Sequence, residues 1–193
     1  MSKISLAMVV LLATLVHLEA DNVLQNGDFT DGSAHWSGDG HPSGELTDLV
    51  ALPDSLAKGG GLAIKLKSFD WTKISQDFTG GSSTGMLTIN FAVTPDLSFS
   101  NRPEDYKNMP DHIDYDAWKS FNSKRGEWVI FISDFGKNRG SYYSVKPTLG
   151  TTTSQSVRMK VKGLSPSGDK TLTLAFPPGT GTIVILSVEL TAK

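Results

Sequence analysis

Cysteine is absent from all 193 residues. That excludes a disulfide framework, a thiol nucleophile, iron–sulfur clusters and cysteine-ligated zinc. An excess of one charge is also lacking. Lys and Arg number 18 against 20 Asp and Glu, for a net charge of -2. A chain so balanced carries no overall electrostatic footprint for nucleic acid or anionic lipid. Histidine is scarce, at four residues, and no H-E-x-x-H pair is formed. No Asn-x-Ser/Thr sequon occurs, and no G-x-S-x-G elbow. No helical period persists beyond about two turns.

What is present begins with the first twenty residues. Lys3 precedes a run of apolar and small residues over 4–16, and polarity rises at Asp21 and Asn22. The run is shorter than the ~20 residues that span a bilayer. A positive start, a short apolar run and a small residue, Ala20, before the cut have the form of a secretory signal peptide. The expectation is a signal over 1–20 and one domain over 21–193, secreted or periplasmic and free of the membrane after cleavage. The lack of both sequons and disulfides in an exported chain points to a bacterial source. Without disulfides the domain must stand on its core, which a domain near this size can do.

The rest of the chain alternates with a period of two. Leu62, Ile64 and Leu66 form one apolar face, and Leu87, Ile89, Phe91 and Val93 another. Val157, Met159 and Val161 repeat the pattern, as do Leu172, Leu174 and Phe176. Ile74 and Phe78 mark a further strand over 72–79. Each reads as a half-buried strand. Residues 128–132 and 183–186 are apolar on both faces, which predicts cover on both sides. Gly59-Gly60-Gly61, Gly80-Gly81, Gly168 and Pro177-Pro178-Gly179 punctuate the runs. This spacing predicts an all-β fold, a jelly-roll β-sandwich of two antiparallel sheets. One long insertion, 97–127, interrupts it. It is polar and aromatic, and a short helix is expected over 114–121. Loops of this length are usually functional or disordered.

A family resemblance is carried by the opening of the mature chain. Asn22-Val23-Leu24-Gln25-Asn26-Gly27-Asp28-Phe29 is followed by Gly32 and Trp36. This resembles the opening of carbohydrate-binding modules of the family four/nine type, in the galactose-binding-like jelly-roll superfamily. A glycine-led strand, the Gln-bearing strand around Gln76 and the closing β-rich stretch over 183–190 follow in the family's order. The resemblance implies non-catalytic binding of a poly- or oligosaccharide. It also implies a structural calcium between the chain ends, held partly by a Glu after the Phe and an Asp in the last strand. Here those positions are Thr30 and the Leu186-Ser187 pair. Calcium takes six to eight oxygen ligands, several of them carboxylates. Asp28 and Asp31 remain as weak candidates, and the expectation is no cofactor.

Sugar recognition uses aromatic faces and planar polar side chains. Trp71, at a strand start, and Tyr115 and Trp118, in the long insertion, are the candidate platforms. Gln76, Asn90 and Arg158 are the candidate polar partners, expected to point away from the core. Trp36 and Trp128 are expected to pack in the core or at its edge. Tyr142-Tyr143 reads as one buried and one exposed strand aromatic. Asp111, His112, Asp114 and Asp116 lack the glycine and closing glutamate of a calcium loop, so they read as a solvated acidic stretch. Catalysis is not specified. A glycosidase needs two acids held about 5–9.5 Å apart, and no pair stands out. Tyr142, His112 and Arg158 supply residue types a lyase would use, with nothing to fix their geometry. The leading expectation is a secreted carbohydrate-binding protein. The alternatives are a structural or adhesive domain that contacts another secreted or surface protein, and a small lyase or hydrolase.

Overall fold

The computed structural model describes residues 22–42, 60–100, 126–134 and 139–192. In chain order its strands are β1 Ser37–Gly38, β2 His41–Pro42, β3 Leu62–Lys65, β4 Thr72–Thr79, β5 Thr84–Val93 and β6 Ser98–Phe99. They continue with β7 Trp128–Asp134, β8 Arg139–Val145, β9 Gln155–Lys162, β10 Asp169–Phe176, β11 Gly179–Thr180 and β12 Thr182–Ala192. No helix occurs among the described residues. The signal sequence expected over 1–20 and the helix expected over 114–121 lie outside the described residues.

Two five-stranded sheets form the sandwich, in the orders β1-β4-β10-β7-β8 and β2-β3-β12-β5-β9. A short β11-β6 pair joins them, and every pairing is antiparallel. The architecture is a jelly roll, as the turn spacing predicts. β7 and β12, apolar on both faces, lie inside their sheets rather than at the edges. Both faces are covered through most of β7, and in β12 over residues 182–185, after which only the inward face stays buried.

Alternation turns one face of each sheet into a common core. Ile74 and Phe78, Leu172 and Leu174, and Ile130 and Ile132 come from the first sheet. Ile64, Leu87, Ile89, Ile183 and Val188 come from the second. Each fully buried aliphatic side chain contributes about 1.5–3 kcal/mol. Trp128 sits at the centre, fully buried, with Phe176 at 4.8 Å and Phe91 edge-on at 5.7 Å. The inward parity of β12 changes once. Its register with β5 shifts between Ile185 and Ser187, a bulge that lets Ile183 and Ile185, then Val188 and Leu190, all face inward. Lys170 also points inward from β10. Its Nζ donates to the Gly80 and Gly168 carbonyls at 3.0 and 3.1 Å and lies over the Phe78 ring. Bonds of this kind are what a buried ammonium requires.

β3 is shorter than the expected 62–67 strand. The Leu66 N–H donates to the Gly181 carbonyl, and the Lys67 N–H donates to Thr72 Oγ1, so the ladder with β12 ends at Lys65. β8, expected only through the Tyr142-Tyr143 strand aromatics, runs over Arg139–Val145 with no long alternating apolar face to set its bounds.

The Asn-Gly-Asp-Phe opening is fastened to β12. The Asn22 side chain accepts from Leu190 N–H at 2.9 Å and donates to the Val188 carbonyl at 3.2 Å. Val188 N–H donates to the Gly27 carbonyl at 2.7 Å. A Cβ at Gly27 would stand 2.2 Å from the Val188 oxygen, so this close approach admits only glycine. Asn26 ties the following turn, donating to the Gly32 and Ala34 carbonyls. Trp36 closes it by packing against Phe29 and donating its indole N–H to the Asn26 carbonyl.

Candidate functional site

The register of the first sheet lays side chains in rows on the face turned away from the core. Ser37 aligns with Ser75, Ser75 with Thr173, Thr173 with Phe131, and Phe131 with Tyr142. One row thus runs from hydroxyls at one edge to aromatics at the other. On one side of it lie Lys73, Ala175, Val129 and Ser144. On the other lie Asp77, Thr171, Ser133 and Gly140. Most of these side chains are small or hydroxylated, which lowers the floor of the face beside the aromatics.

Phe131 and Tyr142 stack with centroids 4.6 Å apart and planes 26° from parallel. Gly140 makes this possible. A Cβ there would lie 2.0 Å from the Phe131 ring, so glycine lets the ring lie across the strand. Trp71, just ahead of β4, joins Val129 and Ala175 in a buried cluster separate from the main core, with Tyr142 packed against it. Thr171 Oγ1 donates to Asp77 at 2.6 Å, and Ser37 and Ser75 share a hydrogen bond at 3.0 Å. Beyond Asp77 the face runs into a cavity of about 450 Å³ lined by Val23, Gln25, Asp77, Phe78, Thr79 and Asp169. Carboxylates and threonine hydroxyls give this end acceptors and donors for a hydroxylated ligand.

The long insertion leaves and re-enters the fold at the opposite end of this sheet. On its leading side, Ser100 N–H donates to the Pro178 carbonyl at 2.7 Å. On its trailing side, Gly126 precedes β7, where Val129 pairs with Ala175. Gly179 N–H donates to the Lys67 carbonyl at 2.9 Å, which brings the turn before Trp71 to the same place. Both ends of the insertion therefore meet beside the Trp71 cluster.

The residues expected to bind sugar do not form one site. Trp71 lies at the first sheet's outer face and is 3% exposed. Gln76 corrects the expectation that it points outward. It shares the inward parity of Ile74 and Phe78 and is 3% exposed. Its amide accepts from the Gln25 N–H and donates to the Gln25 and His35 carbonyls. It satisfies backbone groups of the opening turn, which is a structural task. Asn90 and Arg158 do point away from the core, but on the second sheet. Asn90 is half-buried and donates to Ser187 Oγ at 2.8 Å. Arg158 is exposed on β9. Tyr115 and Trp118 lie outside the described residues, as do Asp111, His112, Asp114 and Asp116.

Asp28 and Asp31 are both exposed. The Asp28 carboxylate accepts from the Thr30 N–H and hydroxyl. Asp31 offers its backbone N–H to Asn26 Oδ1. No group of three or more His, Asp or Glu able to hold a metal occurs among the described residues. At Thr30 and Ser187 the fold has hydroxyls, and the Ser187 hydroxyl accepts from Asn90. These donors do not fit a calcium ion.

Trp36 and Trp128 are buried in the core, as expected. Tyr142 and Tyr143 take opposite faces, with Tyr143 against the main core and Tyr142 against the outer cluster. Both are half-buried, rather than one buried and one exposed. The aromatic that sequence reasoning missed is Phe131. Its signal is the two-sided apolar run of β7, which predicts a second apolar surface without saying what that surface is for.

No protein-family model matches the chain, and no curated protein matches it. Solved structures match over most of its length. One is a family 61 carbohydrate-binding module in complex with β-1,4-galactotriose, at 14% identity and TM-score 0.54, covering 90% of this chain and 100% of that one. Another is a family 16 carbohydrate-binding module, at 11% identity and TM-score 0.51, covering 88% and 99%. An arabinose-bound α-L-arabinofuranosidase matches at 12% identity and TM-score 0.56, covering 89% of this chain but 26% of that one. These neighbours establish the jelly-roll fold. At such identities a likeness speaks for fold and not for ligand.

Proposed function

We propose that the chain is a secreted, non-catalytic carbohydrate-binding protein related to modules of the family four/nine type, with residues 1–20 as its export signal. The ligand is a poly- or oligosaccharide lying on the outer face of the β1-β4-β10-β7-β8 sheet, beside the 97–127 insertion. One observation carries the reading. The half-buried Tyr142 ring, held by its stack on the buried Phe131, stands in register with Ser75 and Ser37 on the face that the core does not use. Aromatic rings meet the apolar side of a sugar ring, and hydroxyls and carboxylates meet its edge. Trp71 supports the aromatic wall, and Tyr115 and Trp118 remain the insertion's candidate platforms. The carbohydrate-binding modules among the structural neighbours support this use of the fold.

The test is titration of the purified mature protein with a panel of neutral oligosaccharides, β-1,4-galactotriose first, by calorimetry. Tyr142→Ala and Trp118→Ala are run alongside, with folding checked by circular dichroism. Binding that a folded Tyr142→Ala variant loses by about tenfold or more supports the face. Binding that neither substitution alters, or no binding to any glycan in the panel, overturns it. Amino-terminal sequencing of exported protein checks cleavage after Ala20.

A further inference from the structure

The outer face of the second sheet differs from the first in charge. β9 is an edge strand, and its outward positions include Arg158, Lys160 and Lys162, all exposed. Alternate residues on a strand stand about 6.8 Å apart. The three cations therefore form a straight row along the sheet edge. Register places Glu189 in line with Thr88 and Arg158, so the acid stands two strands away from the row. None of the three cations makes an ion pair among the described residues. The described ion pair, Lys67 with Asp39 at 2.8 Å, belongs to the other side of the turn before β4.

A row of unpaired like charges repels itself, and a chain with more acids than bases has acids enough to pair it. Lysine on an edge strand also guards against strand addition, but here three successive outward positions, Arg158, Lys160 and Lys162, are basic. Beside the row, the register sets Thr88 opposite Arg158, and the Asn90 amide bonded to Ser187 follows. Hydroxyls and an amide next to evenly spaced cations suit a linear polymer with both charge and hydroxyl groups.

We propose that this face is a second binding site, for a linear anionic polysaccharide carrying carboxylate or sulfate groups. The row lies along the strand, so the polymer lies parallel to β9 with successive acidic groups against Arg158, Lys160 and Lys162. Single-stranded nucleic acid would need aromatic side chains for base stacking, and the described residues on the outer face of β9 and β5 include none. The site is on the opposite sheet from the Phe131–Tyr142 face. One chain can then hold a neutral glycan on one side and an acidic one on the other.

The experiment is retention of the mature protein on immobilised polygalacturonate and on heparin, with neutral galactan as the reference matrix. A single-stranded oligonucleotide matrix is run as a fourth. Retention on an acidic polysaccharide that falls steeply between about 50 and 200 mM salt is expected. The triple variant Arg158→Gln, Lys160→Gln, Lys162→Gln should lose about tenfold or more in affinity and show a flatter salt dependence. Lys160→Glu alone should weaken retention in the same direction, and it serves if the triple variant fails to fold. Unchanged retention on the acidic matrices in these variants overturns the proposal, as does acidic retention that rising salt does not weaken. Equal or stronger retention on the oligonucleotide overturns the assignment to polysaccharide. Tyr142→Ala should leave acidic retention intact, so failure of one face is separable from failure of the other.

Discussion

Gln76 and Gln25 hold each other through a reciprocal pair of hydrogen bonds. The Gln25 N–H donates to Gln76 Oε1 at 2.8 Å, and Gln76 Nε2 donates to the Gln25 carbonyl at 2.8 Å. A side-chain amide thus mimics one rung of a β-ladder and fastens the opening turn to β4. Gln76→Ala removes the rung and leaves the Gln25 and His35 backbone groups without it. The expected cost is about 1–3 kcal/mol, read from urea unfolding. Glycan affinity of the folded fraction should not change. A folded Gln76→Ala variant that binds sugar more weakly would return Gln76 to the ligand.

Asn22 does for the chain ends what a metal would otherwise do. Its side chain accepts from Leu24 and Leu190 N–H and donates to the Val188 carbonyl, spanning both ends of the domain. Three hydrogen bonds at about 0.5–1.5 kcal/mol each make Asn22→Ala costly, by about 1–3 kcal/mol after solvent replaces some of them. Because Asp28, Asp31, Thr30 and Ser187 do not fit calcium, neither EDTA nor added calcium should move the melting temperature. A calcium-dependent rise in Tm would show that the clamp and an ion act together.

Parity within a strand was legible, and pairing between strands was not. Asn90 lies between Ile89 and Phe91, and Arg158 between Val157 and Met159, so their outward direction follows from the alternation alone. The same rule, applied from Ile74 to Phe78, turns Gln76 inward. A polar residue on an apolar face overrode the period, and the period was right. Which outward residues share a face is another matter. Trp71 and Asn90 fall on opposite sheets because β4 pairs with β10 while β5 pairs with β12. Those partners lie far apart in sequence, and local periodicity holds no record of them. β8 shows in the sequence only as the Tyr142-Tyr143 pair, because Gly140, Ser141 and Ser144 dilute its pattern. Yet the glycine is what admits Phe131, and so the candidate site sat where the sequence signal was faintest.

Trp128 gives a sharper test of packing than of function. Its ring is fully buried between Phe91 and Phe176, while its indole N–H has no hydrogen-bond partner among the described residues. Trp128→Ala should cost about 3–5 kcal/mol by opening a large cavity. Trp128→Phe keeps an aromatic in place and removes the unsatisfied donor, so it should cost only about 1–2 kcal/mol. Urea midpoints of the two variants measure the gap. Equal losses would mean that the N–H has a partner worth keeping.

Gly140 couples stability to the candidate face. A Cβ at this position would lie 2.0 and 2.4 Å from two Phe131 ring carbons and 2.8 Å from the Ile132 carbonyl oxygen. A ring can rotate away, but a carbonyl in the β7–β8 ladder cannot without loosening the pair. Gly140→Ala should therefore cost about 1–3 kcal/mol, in the range of overpacked sites. It should also push Phe131 off its stack with Tyr142. If the stacked pair is the sugar platform, neutral-glycan affinity falls in protein that is still folded, while retention on acidic polysaccharide through β9 is preserved. Tyr142→Ala separates the causes, since it removes the stack with no Cβ clash at position 140. Matching affinity losses in the two variants would place recognition on the stacked rings. A loss confined to Gly140→Ala would trace to the distorted strand pair, and the aromatic platform would have to be sought elsewhere.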